Sequence, residues 1–350
     1  MNLRSFFREN TAQKAPLVLV TVFETAGSTY SKAGGRMLID ANGNFCGMLS
    51  GGCLEGDLVE RAREVMASGT ARVATYDLSG DDELWGLGVG CDGTMRMLLQ
   101  PLSAESAYQP FAAISDVEDG AAPAVLATII ESDADEVPCG ASALLRDGCV
   151  ESYGLDDPVI ELIVGEAQSS EPAWTHTLEH SGGCLRVLYA TLTRSPALLV
   201  LGAGLDSEPL VRIATELGWR CTVVDHRPAY VDGRKYPEPT RSLCCDVERM
   251  SDEIDLSHFD MALVMSHRLA SDRSYLAQLA STDIGYVGLL GPVARRKRLT
   301  SEIGDAAAQL EGRLHGPAGI RLGGRGPAPI ALEIVAEMQK FLADRVEIRR

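Results

Sequence analysis

Cys53 stands in the run Leu49-Ser50-Gly51-Gly52-Cys53-Leu54-Glu55-Gly56. Phe45 to Leu49 reads as a short apolar strand before it. Leu54, Leu58, Ala62 and Val65 recur at helical spacing after it, up to Gly69. The pattern predicts a thiol in a strand-to-helix loop, where unpaired N–H groups and the positive end of the helix dipole favour a thiolate. Gly51 and Gly52 would let a ligand come close to the backbone. A thiolate in that position is a nucleophile, a sulfur carrier or a soft-metal ligand. The plain alternative is a small buried hydrophobe in a tight turn.

A second cysteine lies in a second glycine-rich loop, Gly86-Leu87-Gly88-Val89-Gly90-Cys91-Asp92-Gly93, between strands at Arg72 to Tyr76 and Thr94 to Leu99. Such a loop serves a turn or a close backbone approach to an anionic group. Two Gly-Cys loops in one region lead us to expect Cys53 and Cys91, with Gly90, at a common site. Ser181-Gly182-Gly183-Cys184-Leu185 repeats the letters of the first loop but leads into a strand at 186–192, so no helix dipole acts on that thiol.

The third candidate is Gly202-Ala203-Gly204, which follows the apolar strand Ala197 to Leu201 and precedes a helical run from Ser207 to Leu217. Strand Cys221 to Val224 then ends in Asp225, at the distance from the glycines expected of a dinucleotide-binding βαβ unit. Asp225 would accept from a ribose hydroxyl, and Arg227 would meet a phosphate. Ser207 occupies the third glycine position, which predicts looser helix packing. His267 follows strand Met261 to Met265, at the edge where open α/β sheets bind ligands. Arg295-Arg296-Lys297-Arg298 begins a helix after Pro292 and reads as an anion site or as a solvated basic face.

The elements that must carry these residues fall into two parts. Strands and hairpins dominate as far as Ser195-Pro196, including the Asn42-Gly43 hairpin signal. Strand and helix alternate beyond it. We therefore expect an α/β protein: an N-terminal mixed α/β domain (1–194) and a Rossmann-like doubly wound parallel-sheet domain (195–350). Residues 103–122 read as a partly helical surface stretch. The strands at 125–130, 140–145 and 186–192 read as added sheet that completes the first domain, and Cys244-Cys245 as part of a buried strand.

Composition narrows the function further. The 350 residues are 45% hydrophobic and 23% charged, which suits a soluble globular chain. A net charge of −17 disfavours binding to nucleic acid backbones. No apolar run approaches the roughly 18 residues needed to cross a bilayer, and the first residues do not read as a secretory signal. Nine cysteines without a C-x-x-C pair point to free thiols in a reducing cytoplasm, not to a zinc ribbon or a disulfide scaffold.

Together, Glu24-Thr25-Ala26-Gly27-Ser28, Gly34-Gly35-Arg36-Met37, Ser50-Gly51-Gly52-Cys53-Leu54-Glu55 and Gly88-Val89-Gly90-Cys91-Asp92-Gly93 resemble the N-terminal module of the XdhC/CoxI family. Gly202-Ala203-Gly204, Val224-Asp225-His226-Arg227, Met265-Ser266-His267, Tyr286-Val287-Gly288-Leu289-Leu290-Gly291 and Arg295-Arg296 resemble its Rossmann-type module. The resemblance implies an accessory chaperone for molybdenum hydroxylases such as xanthine dehydrogenase. Such a protein binds the molybdenum cofactor (molybdopterin, with or without a nucleotide), keeps it during sulfuration and hands it to the apo-enzyme. It also implies a cysteine desulfurase-type sulfur donor, a homodimer, Cys53 at the metal with Cys91 assisting, and a tail held by Gly202, Gly204, Asp225, Arg227, His267, Arg295 and Arg296. Leu205 stands where many relatives carry His, and Asp92 where many carry Gly. The rival from another class is a NAD(P)-dependent oxidoreductase with a redox-active cysteine pair. A third reading is a regulatory module that senses a nucleotide.

Overall fold

The computed structural model describes residues 2–78, 93–169 and 171–348, in two compact units, Met1–Arg194 and Ser195–Arg350. In the first unit, helix α1 (Leu3–Ala12) leads to β1 (Leu17–Gly27), β2 (Arg36–Asp40), β3 (Phe45–Cys46), α2 (Glu55–Ser68), β4 (Arg72–Asp77) and β5 (Gly93–Leu102). Then come α3 (Phe111–Glu118), β6 (Ala124–Ser132), β7 (Ser142–Arg146), β8 (Cys149–Tyr153), α4 (Asp157–Gly165), β9 (Ala173–His180) and β10 (Gly183–Leu192).

The strands make two antiparallel five-stranded sheets, ordered β3-β2-β1-β5-β4 and β8-β7-β6-β10-β9. The second order is the first with every number raised by five, so the unit is one α-β-β-β-α-β-β module built twice. The added strands between residues 124 and 192 therefore form a sheet of their own within the first unit. The unbroken apolar run of β1 follows from its two covered faces. Val18, Val20 and Val22 pack in the cluster with Leu58, Ala62 and Val65 of α2, while Leu17 and Leu19 join Phe6, Phe111 and Leu126. Residues 111–118 are thus core, not surface, because α3 fills the space between the two modules with Phe111, Ile114 and Val117.

The two modules meet around Phe23, Leu98, Ile130 and Leu188. Beside these, Glu24 faces Arg96 across β1 and β5, and Glu131 faces Arg186 across β6 and β10. Each arginine also bridges to the other module's carboxylate: Arg186 to Glu24 at 2.6 Å, and Arg96 to Glu131. Gly34 (φ +90°) and Gly140 (φ +91°) repeat the correspondence, each set against an alanine of the other module, Ala173 and Ala71.

The second unit comprises β11 (Ala197–Leu201), α5 (Ser207–Glu216), β12 (Arg220–Asp225), α6 (Pro228–Asp232), β13 (Arg241–Cys244), α7 (Met250–Glu253), β14 (Met261–Val264) and α8 (Leu269–Ala280). β15 (Tyr286–Leu289), α9 (Val293–Glu302), α10 (Ala306–Gln309), β16 (Leu314–His315) and α11 (Pro327–Ile348) complete it. Its six strands are all parallel, in the order β13-β12-β11-β14-β15-β16. Leu198 and Val200 pack in the cluster with α5 and α11, and Leu199 and Leu201 in the one with α8, so helices cover both faces. This is a Rossmann-like doubly wound domain, and the strand order reverses between β11 and β14. Cys245 is buried, but β13 is an exposed edge strand and Cys244 is open to solvent.

Candidate functional site

Antiparallel pairing brings several connections of the first module to one edge of its sheet. The loops at 28–35 and 47–54 both leave that edge, where Gly93 pairs with Gly27. Ser31 Oγ donates to the Met48 carbonyl at 3.2 Å and joins the two loops. The segment with Gly90 and Cys91 lies outside the described residues. Its flanks, Leu78 and Gly93, meet at the same edge, with Leu78 N–H donating to the Gly93 carbonyl at 2.8 Å. A side chain on Gly93 would strike the carbonyls of Ala26 and Ser28 at 2.6 and 2.7 Å, so glycine is required there.

Cys53 is half-buried, on the margin of the core beside α2. Gly51 and Gly52 adopt φ of +77° and +108°, and the Cα of Gly52 faces open space. Tyr30 and Met48, 62% and 51% exposed, rim the loop. Ahead of the helix mouth, Glu55 gathers the amides of the loop itself. This carboxylate is 3% exposed and turns back into the loop. Its Oε1 accepts from the amides of Leu49 and Ser50, both at 3.0 Å, and its Oε2 from the amide of Gly52 at 3.0 Å and from Ser50 Oγ. Ser50 Oγ in turn accepts from Leu54 N–H at 2.8 Å. Burial alone would raise the Glu55 pKa, but the hydrogen bonds from Ser50, Leu49 and its own amide outweigh it and hold the carboxyl below its ordinary range. The cysteine loop is thus preformed around an internal anion. The sequence signal for Glu55 was its position three residues after Gly52, the spacing of half a capping box.

In the second unit the carboxyl ends of the strands carry the other candidates. Gly202 (φ +128°) lets β11 end against β14: a Cβ there would lie 2.6 Å from the Met265 carbonyl. Ser207 does not loosen the packing. It is fully buried, with its hydroxyl 2.7 Å from both the Gly204 carbonyl and Tyr236 OH. Asp225 is not a free ribose acceptor. Its Oδ2 accepts from Ala203 N–H at 2.8 Å, and Arg227 grips both oxygens through Nε and Nη2 at 2.8 and 2.7 Å. Burial opposes its ionisation, yet the Arg227 and amide hydrogen bonds hold its pKa below the usual value.

His267, at the reversal of strand order, has φ +61° in the left-handed region and pairs through Nε2 with Asp206 Oδ2 at 2.7 Å. Strain of that kind concentrates at functional sites. Asp206 is the residue that sequence reasoning missed, since its partner lies 61 positions away. The side chain stands beside Gly204, where a Cβ would meet Asp206 Oδ1 at 2.4 Å. Of the basic run, Arg295 binds buried Asp272 through Nε and Nη2 at 3.0 and 2.6 Å, and Asp272 also accepts from Ser266 Oγ. Arg296 donates to the Gly316 carbonyl at 3.3 Å, and Arg298 to Glu302 at 2.7 Å. The run is therefore largely engaged within the chain. Among the described residues no group of three or more metal-ligating side chains occurs, and no helix is long and apolar enough to cross a membrane.

A doubled antiparallel module with a preformed cysteine loop, joined to a Rossmann-like sheet, defines a class of two-part protein. Residues 198–338 match the family model described as the XdhC Rossmann domain, and residues 11–77 the one described as the XdhC and CoxI family. The chain belongs to the XdhC/CoxI family. It is 28% identical over 322 residues to a probable xanthine dehydrogenase subunit of Bacillus subtilis (strain 168), covering 92% of each chain. It is 33% identical over 98 residues to the molybdenum cofactor insertion chaperone PaoD of Escherichia coli (strain K12), covering 28% of this chain and 29% of PaoD. A crystal structure described as a xanthine dehydrogenase from Bacillus halodurans superposes with a TM-score of 0.77 at 25% identity, over 99% of this chain and 97% of that one.

Proposed function

We propose that this protein is an accessory chaperone. It receives the molybdenum cofactor as cargo, keeps it during sulfuration, and passes it to the apo form of a molybdenum hydroxylase such as xanthine dehydrogenase. The observation that carries this reading is a half-buried cysteine on a preformed glycine loop, in a chain related to a cofactor insertion chaperone. Cys53 shields the metal as a soft thiolate ligand, and Cys91 assists. Gly51, Gly52 and Gly90 admit the cargo. The Rossmann-like unit grips its tail, with His267, Arg227 and Arg296 toward the ligand and Asp225 and Arg295 fixing their surroundings. A cysteine desulfurase-type donor supplies the sulfur, and the protein works in the cytoplasm as a homodimer.

The rival reading, a NAD(P)-dependent oxidoreductase, gains the Asp206–His267 pair as a proton-transfer candidate. It also requires Asp225 to release Arg227 in favour of a ribose. Metal and pterin analysis of protein purified without air from cofactor-making cells separates the two. Molybdopterin in fixed ratio to wild-type protein and its loss in Cys53→Ala, with the fold unchanged, is the expected result. A Cys53→Ala protein that keeps the cofactor and yields fully active hydroxylase would remove Cys53 from the mechanism.

A further inference from the structure

The guanidinium of Arg227 is held on several sides. Its Nε and Nη2 are spent on Asp225, and its backbone N–H also reaches Asp225 Oδ1 at 3.0 Å. The guanidinium carbon lies over the Tyr230 ring, 3.5 Å from its centre. Tyr230 is flanked in turn by Arg234 at 5.7 Å, which donates to the Ala203 carbonyl at 3.0 Å and bridges to Glu208 at 3.5 Å. His226 and Arg268, joined at 3.1 Å, stand beside this stack. The Arg227 side chain nevertheless keeps 28% of its surface open.

A guanidinium reads phosphate by offering two parallel N–H groups in a fork. Here the Nε–Nη2 fork is already closed on Asp225. Three N–H groups remain, two on Nη1 and one on Nη2, along the outer edge of a flat, delocalised cation that stacks on Tyr230 by one face. Immobilised planes of this kind stack well on planar rings, because the ordering entropy has been met in advance.

We propose that Arg227 is a stacking shelf for a planar nitrogen heterocycle, the pterin or nucleobase of the cargo, with Asp225 and Tyr230 as its positioning residues. The assignment rests on the cofactor-carrier reading: the ring takes the face opposite Tyr230, and the outer Nη1–Nη2 edge is left for a hydrogen-bond acceptor of the same guest.

The test is titration of the full chain with pterin-6-carboxylate and with adenosine, and separately with inorganic phosphate. Arg227→Lys keeps the charge and loses the plane, and weakens both rings about tenfold while leaving phosphate unchanged. Arg227→Gln, planar and uncharged, retains more ring affinity than Arg227→Lys. Tyr230→Leu, which frees the guanidinium without removing it, costs about threefold. Wild-type affinity for both rings in Arg227→Lys overturns the proposal, as does an equal loss for phosphate, or a wild-type chain that takes up neither ring. Cofactor content separates this from the broader reading. If Arg227→Lys carries the wild-type amount of molybdopterin, the shelf falls and the carrier stands. If wild-type protein carries none yet shows the ring discrimination, the carrier falls and the shelf serves another nucleotide.

Discussion

Glu55 shows how one buried carboxylate can define a loop. Four donors converge on it, and each would be left without a partner if it were removed. We expect Glu55→Ala to cost about 3 kcal/mol and Glu55→Gln, which still accepts on one oxygen, about 1–2 kcal/mol, read from denaturant midpoints. The pH dependence follows from the depressed pKa. The carboxylate's contribution is complete well above its ordinary value of 4.5 and is lost as the pH falls through the lower folded value. The stability gap between wild type and Glu55→Gln should therefore hold at neutral pH and close under acid. A gap independent of pH would mean that Glu55 acts by shape alone. Cys53 and its glycines were legible in the sequence because type and spacing announce them. The partner of a side chain is not so announced: Asp225 stood out as a ligand acceptor, and only coordinates show Arg227 already in that place.

The strands and helices explain why the repeat went unread. Both modules share an element order and keep the same residue at equivalent strand positions, among them Thr21 and Thr128, Glu24 and Glu131, Gly93 and Gly183, and Arg96 and Arg186, but these matches are scattered single residues between loops of unequal length, and only the pairing register lines them up. The end of α2 could be read from Gly69, which caps the helix in the left-handed region. The separation of strands β6–β10 into a second sheet could not, since periodicity does not name a strand's neighbours. The twin glycines allow a test. Gly34→Ala meets only the strain of a positive φ, about 1–2 kcal/mol, because its Cβ would lie an ordinary 3.5 Å from Ala173. Gly140→Ala adds a clash at 2.7 Å with Ala71 and should cost at least about 1 kcal/mol more in thermal melts. Equal losses would show that the clash at Ala71 is relieved in solution.

For the molecule as a whole, chemistry is distributed unequally over a symmetrical frame. The first module has cysteines in its glycine loops. The loop of the second that matches the Cys53 loop, Gly154 to Asp156, has none. Four residues inserted after Gly154 should leave cofactor content at the wild-type level, while the same insertion after Gly51 should abolish it. Equal losses at the two places would assign the second module a share in the site. The net charge of −17 agrees with this picture, since only local cations such as Arg227 and Arg268 can favour an anionic guest on so acidic a chain.

The reciprocal setting of Gly140 on Ala71 makes damage in one half repairable from the other. A genetic screen for revertants of Gly140→Ala should return Ala71→Gly, a change just ahead of β4 and on the far side of the duplication. Lineages that lose one of these small residues would then be expected to shrink its opposite number, so the two halves drift in step at their seam while their outer loops diverge freely.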